Sequence, residues 1–138
     1  MKTAKELLLG YLEHINNPDE AIKLFADDAM IELPYLASLG LNYQMKGKEV
    51  IYNFLKNLPD TFTNFKFQNI QIHIDTPDQV FGEYEVNAIV NSTSKPYHQL
   101  YMGRLVAEDG KIKLLREALD MIVVARGMFP DGLPQLPL

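Results

Sequence analysis

A chain of 138 residues with 47% hydrophobic content can bury one core but is too short for a second, which predicts a single domain over residues 1–138. Its net charge of −5 and the scatter of its basic residues argue against a nucleic-acid partner. The absence of cysteine excludes disulfides, thiolate nucleophiles and cysteine-based metal sites.

The first amphipathic segment places Leu8, Tyr11, Leu12 and Ile15 on one helical face. Glu6, Gly10 and Glu13 interrupt it too often for a signal peptide, and no later stretch is apolar for the roughly 20 residues a spanning helix needs. A cytoplasmic protein without a membrane partner is the expectation. Asn17-Pro18-Asp19-Glu20 supplies a cap, a first-turn proline and a capping-box glutamate, opening a short second helix that carries Ala21, Ile22, Leu24 and Phe25 and ends at Asp27-Asp28. Ala29 to Pro34 reads as a strand. A third helix follows with Ile51, Phe54, Leu55 and Leu58, stopped by Pro59.

From Phe62 the composition turns to β-branched and aromatic residues, punctuated at Thr76-Pro77-Asp78, Ser92–Pro96 and Glu108–Lys111. Four strands with short connections pair as antiparallel neighbours, and Asp109-Gly110 is a hairpin turn. The apolar phase slips across Gln68-Asn69, which predicts a bulge that bends the sheet. Residues Tyr97 to Ala107 are apolar on both phases, so both faces of that strand need cover; a second copy of the chain is the simplest occupant of the back, predicting a homodimer. The apolar, proline-rich tail 128–138 is expected to pack across a partner or a pocket mouth.

Helices first, a bent sheet second, and the segments Phe25–Pro34, Gly47–Ile51, Asp109–Ile112 and Arg116–Asp120 resemble the SnoaL-like and ketosteroid-isomerase-like branch of the nuclear transport factor 2-like superfamily. That resemblance implies an α+β cone, three N-terminal helices packed on a strongly bent antiparallel sheet around a pocket for a small, mostly apolar molecule. It also implies positions for chemistry. Tyr11 resembles the tyrosine that donates to an oxyanion in ketosteroid isomerases, whereas Leu33 stands in place of the base and Met102 near the second donor, so steroid isomerisation by that arrangement is not expected. Arg116-Glu117-Ala118-Leu119-Asp120 resembles the strand ending of limonene epoxide hydrolases and puts Asp120 at the water-activating carboxylate, although Met30 and Glu32 replace the residues that hold the water.

The carboxylates each have two readings. Asp120 enters the pocket or caps the helix Met121–Arg126, and Glu32 is a pocket base or a solvent-facing strand residue. Glu83 and Glu85 face water or a dimer seam by their alternation, and the pocket by the resemblance. His98 is an acid/base candidate at neutral pH or a packed strand residue. The assigned catalytic set is Asp120, Glu32, Tyr11 and His98, with Tyr35, Phe54, Leu58, Glu83, Glu85, Tyr101 and Met102 as substrate contacts. No His-x-His or phosphate-loop motif occurs, so neither a metal nor a cofactor is expected. The combined expectation is a cofactor-independent acid/base enzyme of isomerase, hydrolase, dehydratase or cyclase type, with a non-catalytic binding or dimerisation module as the alternative.

Overall fold

The computed structural model describes residues 1–132. Helix α1, Ala4–Glu13, begins where the Thr3 side chain accepts the Glu6 N–H while Glu6 reaches back to the Thr3 backbone, satisfying two otherwise orphaned donors. Its buried face is Leu7, Leu8, Tyr11 and Leu12. Helix α2, Pro18–Ala21, is shorter than the sequence predicts. It tightens into a 3-10 turn over Ile22–Leu24, and Phe25 already belongs to strand β1, Phe25–Glu32. Sheet pairing overrides helical propensity here because β1 is drawn alongside a distant strand; Asp27 and Asp28, expected to end the helix, instead lie in β1, where Asp28 pairs with Lys113.

A second 3-10 turn, Pro34–Leu39, leads to strand β2, Gln44–Lys46, and to helix α3, Lys48–Thr61. The helix runs through Pro59 rather than stopping at it. That proline falls in the last turn, where it forfeits a single backbone bond, and the Phe62 N–H still returns to the Leu58 carbonyl.

The strands β3, Phe62–Thr63, β4, Phe67–Asp75, β5, Gln79–Val90, β6, Pro96–Glu108, and β7, Lys111–Leu119, complete a sheet ordered β2-β1-β7-β6-β5-β3, with β4 also on β5. Strands β4 to β7 form the expected antiparallel meander. The Asp109-Gly110 turn has positive φ at both residues, 52° and 74°, as a tight hairpin of this hand requires. The expected bulge is present: the β4–β5 register slips between Gln68 and Gln71, and Asn69 takes φ 54°. The strand expected at Ala29 to Pro34 is β1, which starts earlier, at Phe25, and runs parallel to β7, joining the start of the chain to its last strand.

The sheet is curved and unclosed, and the helices pack against one face. That inner face receives Val80, Tyr84 and Val86 from β5, and Tyr97, Gln99, Tyr101 and Leu105 from β6. In β7 the phase flips at Lys113, which has no partner in the β6–β7 ladder. The flip turns Leu115 and Glu117 inward. The outer face carries Leu100, 58% exposed, and Met102, 51% exposed. A last helix, α4, Met121–Met128, closes one end of the sheet. Beyond it the Phe129 and Pro130 carbonyls accept from Lys95 Nζ at 2.9 and 2.8 Å; the expected packing of the tail at residues 133–138 lies outside the described residues.

Candidate functional site

Helices α1 and α3, the Pro34–Leu39 turn and α4 leave a cavity of about 290 Å³ over the inner face of the sheet. Its walls are apolar: Ile15 from α1, Phe54 and Leu58 from α3, Phe62, Phe65 and Phe67 from the sheet margin. Among the described residues only two polar side chains are buried, Gln99 and Glu117, and both stand on the inner face beneath this cavity.

Glu117 is 3% exposed and lines the cavity. Burial raises its pKa from 4.5 to about 7, against the opposing pull of the Tyr84 hydroxyl, which donates to Oε2 in a short hydrogen bond. Tyr84 belongs to β5, two strands away, and reaches Glu117 by crossing β6 over Gly103, which pairs with Glu117 in the ladder. A Cβ at residue 103 would overlap the Tyr84 hydroxyl, so the glycine is the gap through which this contact is made.

Three further tyrosines surround the carboxyl. Burial and then the charge of Glu117 hold Tyr11 well above the usual phenol range; burial, with Tyr97 and Glu117 following, does the same for Tyr101. Burial also raises Tyr97, but less, because hydrogen bonds from Gln99 and Tyr101 pull it back. Phenols in this state remain protonated donors at neutral pH. The Tyr84 and Tyr101 rings stack at 5.8 Å, and Phe67 meets Tyr101 edge-on at 5.4 Å, which fixes the ring planes.

Only part of the residue set chosen from sequence meets here. Tyr11, Phe54, Leu58 and Tyr101 line the cavity, and Leu33 adds an apolar wall. The other assignments are corrected. Asp120 does not enter the cavity; it is the N-cap of α4, accepting the Ile122 and Val123 N–H groups at 2.9 and 3.3 Å. Glu32 is turned away because Ile31 and Leu33 take the inward phase of β1, and it pairs instead with Arg116, its ladder partner, at 3.2 Å. Glu83 and Glu85 lie on the outer face, since Tyr84 and Val86 occupy the inner phase. They meet His73 at 2.6 Å and His98 at 3.5 Å respectively, which removes His98 from the cavity as well. Met102 shares that outer face, and Tyr35, 57% exposed on the Pro34–Leu39 turn, does not line the cavity. Glu83, Glu85, Met102 and Asp120 instead border an outer groove.

Sequence reasoning missed Glu117. Its signal was the alternation Leu115, Glu117, Leu119, which is legible only once the β7 phase is known to flip at Lys113. Gln99 was missed too, hidden between Tyr97 and Tyr101 on the same phase. Among the described residues no group of three or more His, Asp or Glu is placed to hold a metal ion.

Residues 10–115 match the SnoaL-like domain family. The chain belongs to that family. Its sequence is 28% identical over 104 residues to the Bacillus subtilis protein YesE, covering 74% of this chain and 69% of YesE. In fold, this SnoaL-like chain is similar to a Bacillus subtilis protein described as a candidate isomerase, with TM-score 0.80, 24% identity, and coverage of 92% of this chain and 93% of the other. It is also similar to a Catenulispora acidiphila protein of ketosteroid isomerase-like fold solved in complex with trimethylamine, with TM-score 0.74, 16% identity, and coverage of 91% and 93%. These likenesses show the nuclear transport factor 2-like fold of this SnoaL-like protein. No helix is long and apolar enough to cross a membrane among its described residues.

Proposed function

We propose that this SnoaL-like protein is a cofactor-independent acid/base enzyme that moves a proton on a small, mostly apolar molecule bound in the cavity, with Glu117 as the proton-transfer group. The observation that carries the reading is a carboxyl buried among phenols, with its pKa raised to about 7. A base is most effective when its pKa lies near the working pH, and a buried carboxylate without a cationic partner is otherwise an unrewarded cost to the fold. Ionised Glu117 takes a proton from a carbon acid, and the charge that develops on the ligand's oxygen is met by tyrosine hydroxyls across an apolar site, where such hydrogen bonds are strongest. A structural neighbour of this fold was solved in complex with trimethylamine, which supports the fold as one that takes small molecules.

Deuterium exchange tests this directly. Small apolar ketones and enones incubated with the protein in heavy water should lose α-proton NMR signal well above the buffer rate, and Glu117→Gln should abolish the excess. Ketones that bind without any Glu117-dependent exchange would make the protein a binding module.

We further propose that a second copy covers the outer face. Leu100 and Met102 lie exposed near the middle of β6, the longest strand, a position where a two-fold axis sets an apolar patch against itself. Light scattering at micromolar concentration should report twice the chain mass.

A further inference from the structure

Gln99 is fully buried, and every hydrogen-bonding position of its amide is filled. Its oxygen accepts the Leu100 and Asp120 N–H groups at 3.0 and 2.8 Å. Its nitrogen donates to the Asp120 carbonyl at 3.0 Å and to the Tyr97 hydroxyl oxygen at 3.2 Å. Two backbone N–H groups on the oxygen leave no freedom to flip the amide, so Tyr97 must accept from it. The Tyr101 hydroxyl bears on the same oxygen, raising its own pKa while lowering that of Tyr97. With its oxygen supplied by donors from both sides, Tyr97 has only its proton left to give, and among the described residues no acceptor takes it.

Two of the other phenols are committed elsewhere, and Tyr11, which also lines the cavity, lacks the pair of donors that holds the Tyr97 oxygen. Tyr84 spends its proton on Glu117, and Tyr101 turns toward Tyr97. Among the four phenols around Glu117, Tyr97 is raised least, because two donors on its oxygen oppose the effect of burial, and a more acidic phenol is the stronger donor. Its ring is pinned against Phe62 at 4.7 Å on the cavity wall.

We propose that Tyr97 is the ligand-facing hydrogen-bond donor of the cavity, aimed by Gln99 as a positioning residue, and that it selects neutral molecules carrying an acceptor oxygen, ketones or enones, over hydrocarbons of the same shape. This rests on the reading of the cavity as a small-molecule site but not on proton transfer. A ligand of this class presents its carbonyl oxygen to Tyr97 and buries the remainder against the phenylalanines; a hydroxyl group presented to Tyr97 would have to turn its own proton toward an apolar wall.

The probes are acetophenone labelled with carbon-13 at the carbonyl and ethylbenzene as its hydrocarbon counterpart. Bound acetophenone should show its carbonyl resonance downfield of the value in cyclohexane. Tyr97→Phe should return the resonance toward that value and weaken acetophenone binding about tenfold, the worth of one hydrogen bond, while ethylbenzene binds both proteins alike. Gln99→Glu places an acceptor where the donor stood and draws the Tyr97 proton away from the ligand; the carbonyl shift should collapse although ethylbenzene still binds. A shift that survives Tyr97→Phe and disappears in Tyr11→Phe overturns the assignment and leaves the cavity reading standing. Failure of the native protein to bind either probe overturns both.

Discussion

The two faces of the sheet both carry carboxylates, and their surroundings differ. On the outer face Glu83 and Glu85 each meet a histidine, and Glu32 meets Arg116, all with access to water. On the inner face Glu117 has only phenols for company and almost no solvent. The carboxyl in the apolar cavity is the one that burial brings into balance between its two forms near neutral pH. On the proposed reading it is the face, and not the residue type, that decides which carboxyl can serve the cavity, and counting acidic residues along these strands does not reveal the face.

The largest test of the contrast is to neutralise a carboxylate on each face. Glu117→Gln should lower proton-exchange turnover by about a hundredfold to ten-thousandfold, the range of a lost general base, whereas Glu85→Gln should leave it within about twofold. The pH profile sharpens the same point. If ionised Glu117 is the base, the rate should fall about tenfold for each pH unit below its pKa of about 7, and Glu83→Gln should not move that inflection.

Stability should respond in the opposite direction to activity. Between 4.5 and about 7 the folded protein holds a proton on Glu117 that the unfolded chain has released, so stability falls as pH rises through that window and stays lower above it. The penalty is on the order of 3 kcal/mol. Thermal melts should accordingly show Glu117→Gln more stable than the native protein at pH 8, with the difference vanishing near pH 4.5.

A smaller effect is expected at Gly103. Gly103→Ala forces Tyr84 off Glu117 and should cost about 1–3 kcal/mol, and losing that hydrogen bond should move the kinetic inflection to higher pH. The smallest belongs to the outer face, where Glu83→Gln breaks a half-exposed pair with His73 and should change stability by less than about 1 kcal/mol. A Glu83→Gln variant that lost as much activity as Glu117→Gln would erase the distinction between the faces.

The meander was legible in the sequence because it is written in local signals: the turn at Asp109-Gly110, the phase slip at Gln68-Asn69, the alternation of β5. The cavity residues Tyr11, Phe54 and Leu58 were legible from helical spacing joined to the resemblance. The carboxylate was not. Arg116 and Glu117 are adjacent charged residues, and either could face inward until the phase of β7 is fixed at Lys113, the residue skipped in the ladder with β6, a feature decided by pairing with β6 and β1 rather than by anything local. Asp120 drew attention because it ends a strand, but a residue opening a helix finds its partners in the two backbone N–H groups just ahead of it.

The parallel pairing of β1 with β7 sets the order in which the protein can acquire its site. Strands β4 to β7 are joined by short turns and can assemble from local encounters, so the row holding Tyr84, Gly103 and Glu117 can form early. Strand β1 must be recruited across most of the chain, a closure whose entropy is repaid only when its whole edge docks. Glu117 is covered by the helices that pack on the inner face, and until they dock with that closure its carboxyl is expected to stay hydrated and inexpensive to ionise. The raised pKa is thus acquired in the final closure, and refolding followed at pH 6 should take up a proton in its slowest phase.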